Sequence, residues 1–127
     1  MIKNDIKYAA MRNELIDYLR ELSGLSYQRS SWVVKDASED MTKSELNYSV
    51  HFLYDDTNLS NNPYSCIGWF LRDQEEAKLI LEVINSLDAV FEKYGLDLKD
   101  QEYIEKEEWT KVLESSKLAL ELLKSNG

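Results

Sequence analysis

The sequence predicts an all-α fold, a compact bundle of about four to six helices formed by a single domain of residues 1–127. Only four glycines and one proline interrupt the chain, which is few for a turn-rich β fold. Apolar residues recur at the helical period in three long segments. The hydrophobic fraction of 43% and the charged fraction of 31% are typical of a globular protein. A chain of this length can bury a sizeable core without disulfides or metal.

The first helix is predicted to begin at a cap formed by Asn4 or Asp5. Its apolar residues follow the 3.6-residue period: Met11, Leu15, Tyr18, Leu19 and Leu22. Gly24 stands where a residue in the left-handed conformation would end this helix.

Residues 44–56 fit two patterns. Apolar residues alternate with their neighbours, nearly as in a strand: Leu46, Tyr48, Val50, Phe52 and Tyr54. In this interpretation, residues 31–35 and 46–54 form a small hairpin and the fold is α+β. In the other interpretation, Leu46, Val50 and Leu53 share one face of a helix. We favour the helix, because the rest of the chain offers few other strands and a lone hairpin is only marginally stable.

The second half of the chain shows the clearest helical signals. Asp73 and Glu76 have the spacing of a capping box, and Gly95 ends the apolar stripe that follows them. Asn62 followed by Pro63 is typical of a helix start. A short helix from Asp100 to about Lys106 and a last helix led by Trp109 complete the bundle. We expect these residues to be buried there: Tyr103, Ile104, Trp109, Val112, Leu113, Ala119, Leu120 and Leu123.

The charge is strongly negative and unevenly distributed. The net charge is −9, and residues 1–43 contain seven acidic and seven basic side chains, so residues 44–127 carry all of it. A negative field repels phosphate, which argues against direct binding of nucleic acid or of an anionic membrane. The same field would attract a basic protein partner. No apolar run approaches the roughly 20 residues of a membrane span.

Few residues suggest catalysis. The single cysteine, Cys66, excludes an internal disulfide and indicates a reducing, cytoplasmic location; we expect it to be buried. His51, the only histidine, shares a face with Asp55, four residues later. This pair could be a general base oriented by a carboxylate or, more simply, an exposed histidine near an acid. No zinc, phosphate-loop or dinucleotide motif is present. We therefore expect no enzyme activity, no catalytic residue, no cofactor and no metal.

One enzymatic alternative comes from the spacing of carboxylates. Glu102, Glu105 and Glu108 recur every three residues, and Asp73 precedes Glu76 by three. Helical nucleotide pyrophosphohydrolases hold Mg²⁺ with such pairs. The first set brackets apolar residues, so its acids would point to solvent if those apolar residues point inward. The spacing of the second set is explained by helix capping.

Aromatic side chains separate into two groups. Five are predicted mostly to lie in the core: Tyr27, Trp32, Trp69, Phe70 and Trp109. Tyr54, beside Asp55 and Asp56, and Tyr64, after Pro63, are candidates for exposed interface anchors.

Three local signatures together resemble a known family. They are Tyr27-Gln28-Arg29 with Trp32, the segment His51–Thr57, and Ile67–Arg72 leading into Asp73–Glu76. The chain from about Met11 to Leu123 is similar to small acidic bacterial immunity proteins encoded beside contact-dependent growth-inhibition or polymorphic toxins. The resemblance implies that the protein binds the toxin's C-terminal domain, often a basic nuclease, and neutralises it. It implies no catalytic residues.

The sequence therefore predicts an immunity-type inhibitor that binds one basic partner 1:1. We expect a contact face formed by acidic residues and one tyrosine: Asp36, Glu39, Asp40, Glu45, Tyr54, Asp55 and Asp56. The acidic segment Asp97–Glu108 is a rival face. A general acidic adaptor with several weaker partners and the Mg²⁺-dependent hydrolase remain alternative functions.

Overall fold

The protein is an all-α bundle, as its sequence predicts. The structure, a computed structural model, describes residues 7–28, 45–57, 59–95, 98 and 100–126. Within them are six α-helices: α1 (Ala9–Ser23), α2 (Leu25–Tyr27), α3 (Glu45–Val50), α4 (Gln74–Tyr94), α5 (Asp100–Ile104) and α6 (Trp109–Asn126). α3 continues as a π-helix over His51–Asp56, and Pro63–Cys66 form a 3-10 turn.

The alternative hairpin is wrong, because residues 46–54 are helical; residues 31–35 lie outside the described part of the chain. Leu46 of α3 and Leu53 of its π-helical continuation are both buried in the core. Phe52 packs against Tyr18 of α1, with ring centroids 4.9 Å apart. The Thr57 hydroxyl donates to the carbonyl of Phe52 at 2.8 Å, which satisfies an acceptor where the π-helix ends.

The core lies where α6 packs against both α1 and α4. The long helices bury most of the apolar positions that their periodicity predicts; in α4 the buried apolar residues are Ala77, Ile80, Val83, Ile84, Leu87 and Val90. Leu113 and Leu120 of α6, predicted to be buried, are only partly buried. Tyr103, Ile104 and Cys66 are buried as well, which confirms the predictions for the short helix and for the thiol. Within the described ranges, no helix has the length and apolar character needed to cross a membrane.

The ends of α1 differ from the prediction. Asn4 and Asp5 lie outside the described residues, and the residue before α1 is Tyr8, whose side chain caps nothing. Gly24 has φ −106° and is extended, not left-handed. The terminal carbonyls of α1 are instead satisfied by a side chain further along, since Gln28 Nε2 donates to the carbonyls of Glu21 at 2.7 Å and Leu22 at 3.0 Å.

The start of α4 confirms half of the capping box. Asp73 Oδ1 accepts from the backbone N–H of Glu76 at 2.9 Å. The Glu76 carboxylate turns into the protein, where it is fully buried and bound by Arg12. At the other end Gly95 has φ +80°, the left-handed conformation in which glycine is least strained.

Candidate interaction surfaces

The exposed side of α3 and of its π-helical continuation carries an aromatic, a histidine and an acid in sequence order. Tyr48 is 47% exposed, and His51 follows one turn later on the same helix face. His51 Nδ1 lies 2.7 Å from Asp55 Oδ2, and both side chains are more than half exposed. The spacing predicted this pair. We call Tyr48, His51 and Asp55 the α3 stripe; on an open helix surface it is better suited to contact with a partner than to general-base catalysis, which favours a desolvated site.

Tyr54, predicted to anchor this face, turns the other way. Its hydroxyl donates to Asp88 Oδ1 at 2.6 Å and also lies 3.4 Å from the carbonyl oxygen of Ile84. Its ring packs at the edge of the core. Burial, together with the hydrogen bond to Asp88, raises the pKa of the Tyr54 hydroxyl well above its ordinary value. The exposed tyrosine of this face is Tyr48, which helical spacing from His51 identifies once the strand interpretation is set aside.

The other predicted contact residues are only partly placed. Asp36, Glu39 and Asp40 lie outside the described residues. The backbones of Glu45 and Asp56 mark the start of α3 and the end of its π-helical continuation. The structure therefore brings Asp55 together with His51 and Tyr48, while the remaining acids of this predicted face stay predictions.

The rival acidic face lies where α4 ends and α6 begins. Glu108 Oε2 accepts from Lys93 Nζ at 2.5 Å, and Glu108 Oε1 accepts from the Tyr94 hydroxyl at 2.6 Å. Lys106 Nζ lies 4.9 Å from the centre of the Tyr94 ring. Glu105 and Glu107 are exposed. Among the described residues of this end, Lys93 and Lys106 each have a partner, while Glu105 and Glu107 present exposed carboxylates.

Glu108 is expected to titrate far below an ordinary glutamate. Hydrogen bonds from Lys93 and then Tyr94 lower its pKa to about 2. Replacing Lys93 with methionine removes the first of these hydrogen bonds, so the pKa of Glu108 should rise toward the ordinary 4.5. Carboxyl ¹³C shifts followed by NMR from pH 7 to pH 2 would measure it. Lys78→Met, at an exposed lysine of the same helix, should leave the titration unchanged; a wild-type midpoint in the ordinary range would contradict the prediction.

A groove of about 450 Å³ runs between α4 and α6. Its walls are Leu79, Glu82, Asn85, Ser86 and Ala89 from α4, and Lys111, Glu114, Ser115 and Leu118 from α6, with Glu108 at one end. Leu118 is 55% exposed. Sequence patterns gave no sign of this groove, because it depends on which two helices become neighbours.

Two aromatics predicted to lie in the core are instead exposed, and a second aromatic surface results. Tyr27 and Trp69 are more than 40% exposed. The Tyr8 ring stacks on Trp69 with centroids 5.5 Å apart and planes 10° apart, and Lys7 Nζ lies 4.6 Å from the centre of the Trp69 ring. Phe70 and Trp109 are buried as predicted, Trp32 lies outside the described residues, and Tyr64 is exposed.

The carboxylates of the magnesium alternative are largely engaged. Arg12 binds Glu76 and Lys93 binds Glu108, while Asp73 caps α4. Over the residues that the structure describes, no three His, Cys, Asp or Glu side chains are grouped so that they could hold a metal ion.

Comparison with known proteins identifies a family but no activity. Neither the curated proteins nor the solved structures gave a match. Residues 6–127 match a family model described as a domain of unknown function, DUF7945. The similarity to immunity proteins stays a prediction. Because the match covers nearly the whole chain, the protein belongs to the DUF7945 family.

Proposed function

We propose that this protein is an immunity protein that binds a basic toxin domain 1:1 and covers its substrate-binding surface. The observation that carries the proposal is the α3 stripe, where an exposed tyrosine is followed by an exposed histidine–carboxylate pair on a chain of net charge −9. Tyrosine is enriched among residues that dominate binding energy. Acidic residues around such an anchor increase the rate of association with a basic protein.

The chemistry of the proposed partner explains why an acidic inhibitor is effective. An enzyme that cleaves RNA or DNA must present cations to the phosphate backbone. A negatively charged protein that occupies those cations competes directly with the substrate. Long-range attraction of this kind acts on the association rate and weakens as salt is added.

The proposal is tested by finding the partner and showing neutralisation. The protein is immobilised, lysate of its source cells is passed over it at low and then at high salt, and the retained proteins are identified. The expected result is one basic domain in stoichiometric amount, toxic when expressed alone in a test host and harmless when co-expressed with this protein. Several partners that leave at moderate salt would support the adaptor alternative and contradict the proposal.

Substitutions at the α3 stripe, and at Asp56 next to it in the sequence, are expected to weaken this complex by different routes. Tyr48→Ala should raise Kd about 30-fold, the effect of losing an anchor of about 2 kcal/mol, mainly through faster dissociation. The double reversal of Asp55 and Asp56 to lysine should slow association about tenfold at low salt and much less at high salt. Surface plasmon resonance at two salt concentrations separates the two effects.

Matched variants make the result specific to this face. Tyr64→Ala removes a similarly exposed tyrosine on another part of the surface and should change Kd less than twofold. Glu14→Lys with Glu121→Lys reverses two exposed acids of α1 and α6 and gives the background effect of net charge. Glu105→Lys with Glu107→Lys tests the rival face. If this last pair slows association more than the reversal at Asp55 and Asp56, the α3 stripe is not the contact face.

A further inference from the structure

The groove between α4 and α6 has the length of a short helix. The two helices run antiparallel, as contacts near both ends show: Lys93 meets Glu108, and Asn126 Nδ2 donates to Glu76 at 2.7 Å. The lining extends from Leu79 to Ala89 on one helix and from Glu108 to Leu118 on the other. At 1.5 Å per residue, each wall is about 15 Å long, which is close to three turns of a helix lying alongside.

Small side chains in the middle of the groove allow a backbone to approach closely. Ser86 and Ser115 face each other with their hydroxyl oxygens 3.1 Å apart. Each hydroxyl also donates to a carbonyl of its own helix, that of Val83 at 2.7 Å and that of Lys111 at 2.7 Å. Because each hydroxyl hydrogen has an acceptor within its own helix, contact with an apolar side chain would leave no hydroxyl donor unpaired. Ala89 extends the same shallow region.

The ends and the rim of the groove define the chemistry of its occupant. Leu79 and Leu118 offer apolar surface at one end. Glu82 and Glu114 are exposed on the rims of the two helices, and Lys111 is the rim cation. Glu108 at the far end is already bound by Lys93. A second copy of this chain would bring like carboxylates and a second charge of −9 to the same contact, which opposes a dimer here.

We propose that the groove binds an amphipathic α-helix of a basic protein. The helix lays apolar side chains spaced i, i+4 and i+7 along Leu79, Ala89 and Leu118, and directs lysine or arginine side chains to Glu82 and Glu114. This is the recognition of a helix in a groove, in which apolar anchors supply affinity and flanking charges supply specificity. The inference rests on the proposed function in one respect, namely that the helix belongs to the neutralised partner.

A synthetic peptide tests the groove without the natural partner. The probe is a helical peptide of about 14 residues with leucine at i, i+4, i+7 and i+11 and lysine at most other positions. Two control peptides keep its length, one with glutamate in place of lysine and one with the leucines scrambled. In ¹⁵N NMR titrations of the full chain, the lysine peptide should bind saturably and shift amides of residues 79–89 and 111–118. Both control peptides should bind at least tenfold more weakly.

Substitutions that fill the groove separate specific docking from simple charge attraction. Ala89→Trp blocks the groove without changing charge and should weaken peptide binding at least tenfold, whereas Asn13→Trp, on the exposed face of α1, should not. Circular dichroism checks that both variants fold. Equal binding by the glutamate peptide, shifts confined to residues outside the groove, or unchanged binding by Ala89→Trp would overturn the inference. A peptide that docks here while no toxin is neutralised would refute the proposed function and leave the groove standing.

Discussion

Replacing Arg12 with methionine is expected to lower the free energy of unfolding by about 3–5 kcal/mol, because it leaves a buried carboxylate without its cation. Arg12 Nη1 and Nη2 donate to the two carboxylate oxygens of Glu76, each at 2.8 Å. Both side chains are almost fully buried. Two parallel charge-assisted hydrogen bonds of this kind are among the stronger polar contacts in proteins.

The pair also fixes the positions of three helices. Arg12, on α1, donates to the carbonyl of Phe70 and to the carbonyl of Leu123 on α6, both at 3.1 Å. Glu76, on α4, additionally accepts from the backbone N–H of Arg72 at 2.8 Å. Removing Arg12 would therefore leave two carbonyls without this donor, and it would leave the buried carboxylate with neutral donors alone. Each such buried group adds to the cost of the substitution.

The same contacts make stability depend on pH in a definite direction. Burial raises the pKa of Glu76, but hydrogen bonds from Arg12, from the Arg72 backbone and from Asn126 outweigh it, so the pKa lies below the ordinary 4.5. The folded state therefore binds the proton less readily than the unfolded state. The resulting stability is present above about pH 4.5 and is lost as the pH falls through the lower, folded pKa. The Arg12→Met variant should lose this dependence.

Urea denaturation followed by circular dichroism, at pH 7 and in steps down to pH 3, measures both effects. Arg20→Met is the matched control, because Arg20 pairs with Asp17 on the exposed side of the same helix at 3.0 Å and should cost less than about 1 kcal/mol. Replacing Arg12 and Glu76 together with methionine should recover much of the stability that Arg12→Met loses. Equal losses of unfolding free energy in Arg12→Met and Arg20→Met would contradict the prediction that the buried pair stabilises the fold.

Local signals in the sequence predicted the fold where neighbours in the chain determine it. α4 begins after Asp73 and ends before Gly95, as predicted, because a cap and a left-handed glycine act within one turn. The start of α1 has no such cap. Its end depends on Gln28, whose partner Trp109 lies 81 residues away. Hydrophobic periodicity carries no information about a polar contact over that distance.

The candidate surfaces show the same difference between contacts within one helix, which the sequence predicts, and contacts between distant residues, which it does not. The His51–Asp55 contact spans four residues of one helix, so spacing alone predicted it. Tyr54 turns inward because of Asp88, 34 residues later, and no pattern within residues 44–56 shows this. The groove is least visible in the sequence, since Ser86, Ala89 and Ser115 are ordinary helix residues until two helices place them side by side.

Truncating Trp109 to alanine is expected to cost about 3–5 kcal/mol of unfolding free energy, since it removes a large buried ring at the start of α6. Trp109→Phe separates packing from hydrogen bonding. It keeps an aromatic ring but removes the Nε1–H group that donates to Gln28 Oε1 at 2.9 Å. Because Gln28 is fully buried, its unpaired oxygen should add about 1–3 kcal/mol to the packing loss.

A double-mutant cycle with Gln28→Leu isolates that hydrogen bond. Gln28 joins the start of α6 to the end of α1, since its oxygen binds Trp109 and its Nε2 binds the carbonyls of Glu21 and Leu22. In the Gln28→Leu background, Trp109→Phe leaves no glutamine oxygen unpaired. The losses of unfolding free energy in the two single variants should therefore sum to about 0.5–3 kcal/mol more than the loss in the double variant. Strictly additive losses would mean that Trp109 stabilises the bundle through its ring alone. A positive coupling would show that Gln28 and the tryptophan that leads the last helix together close the end of α1.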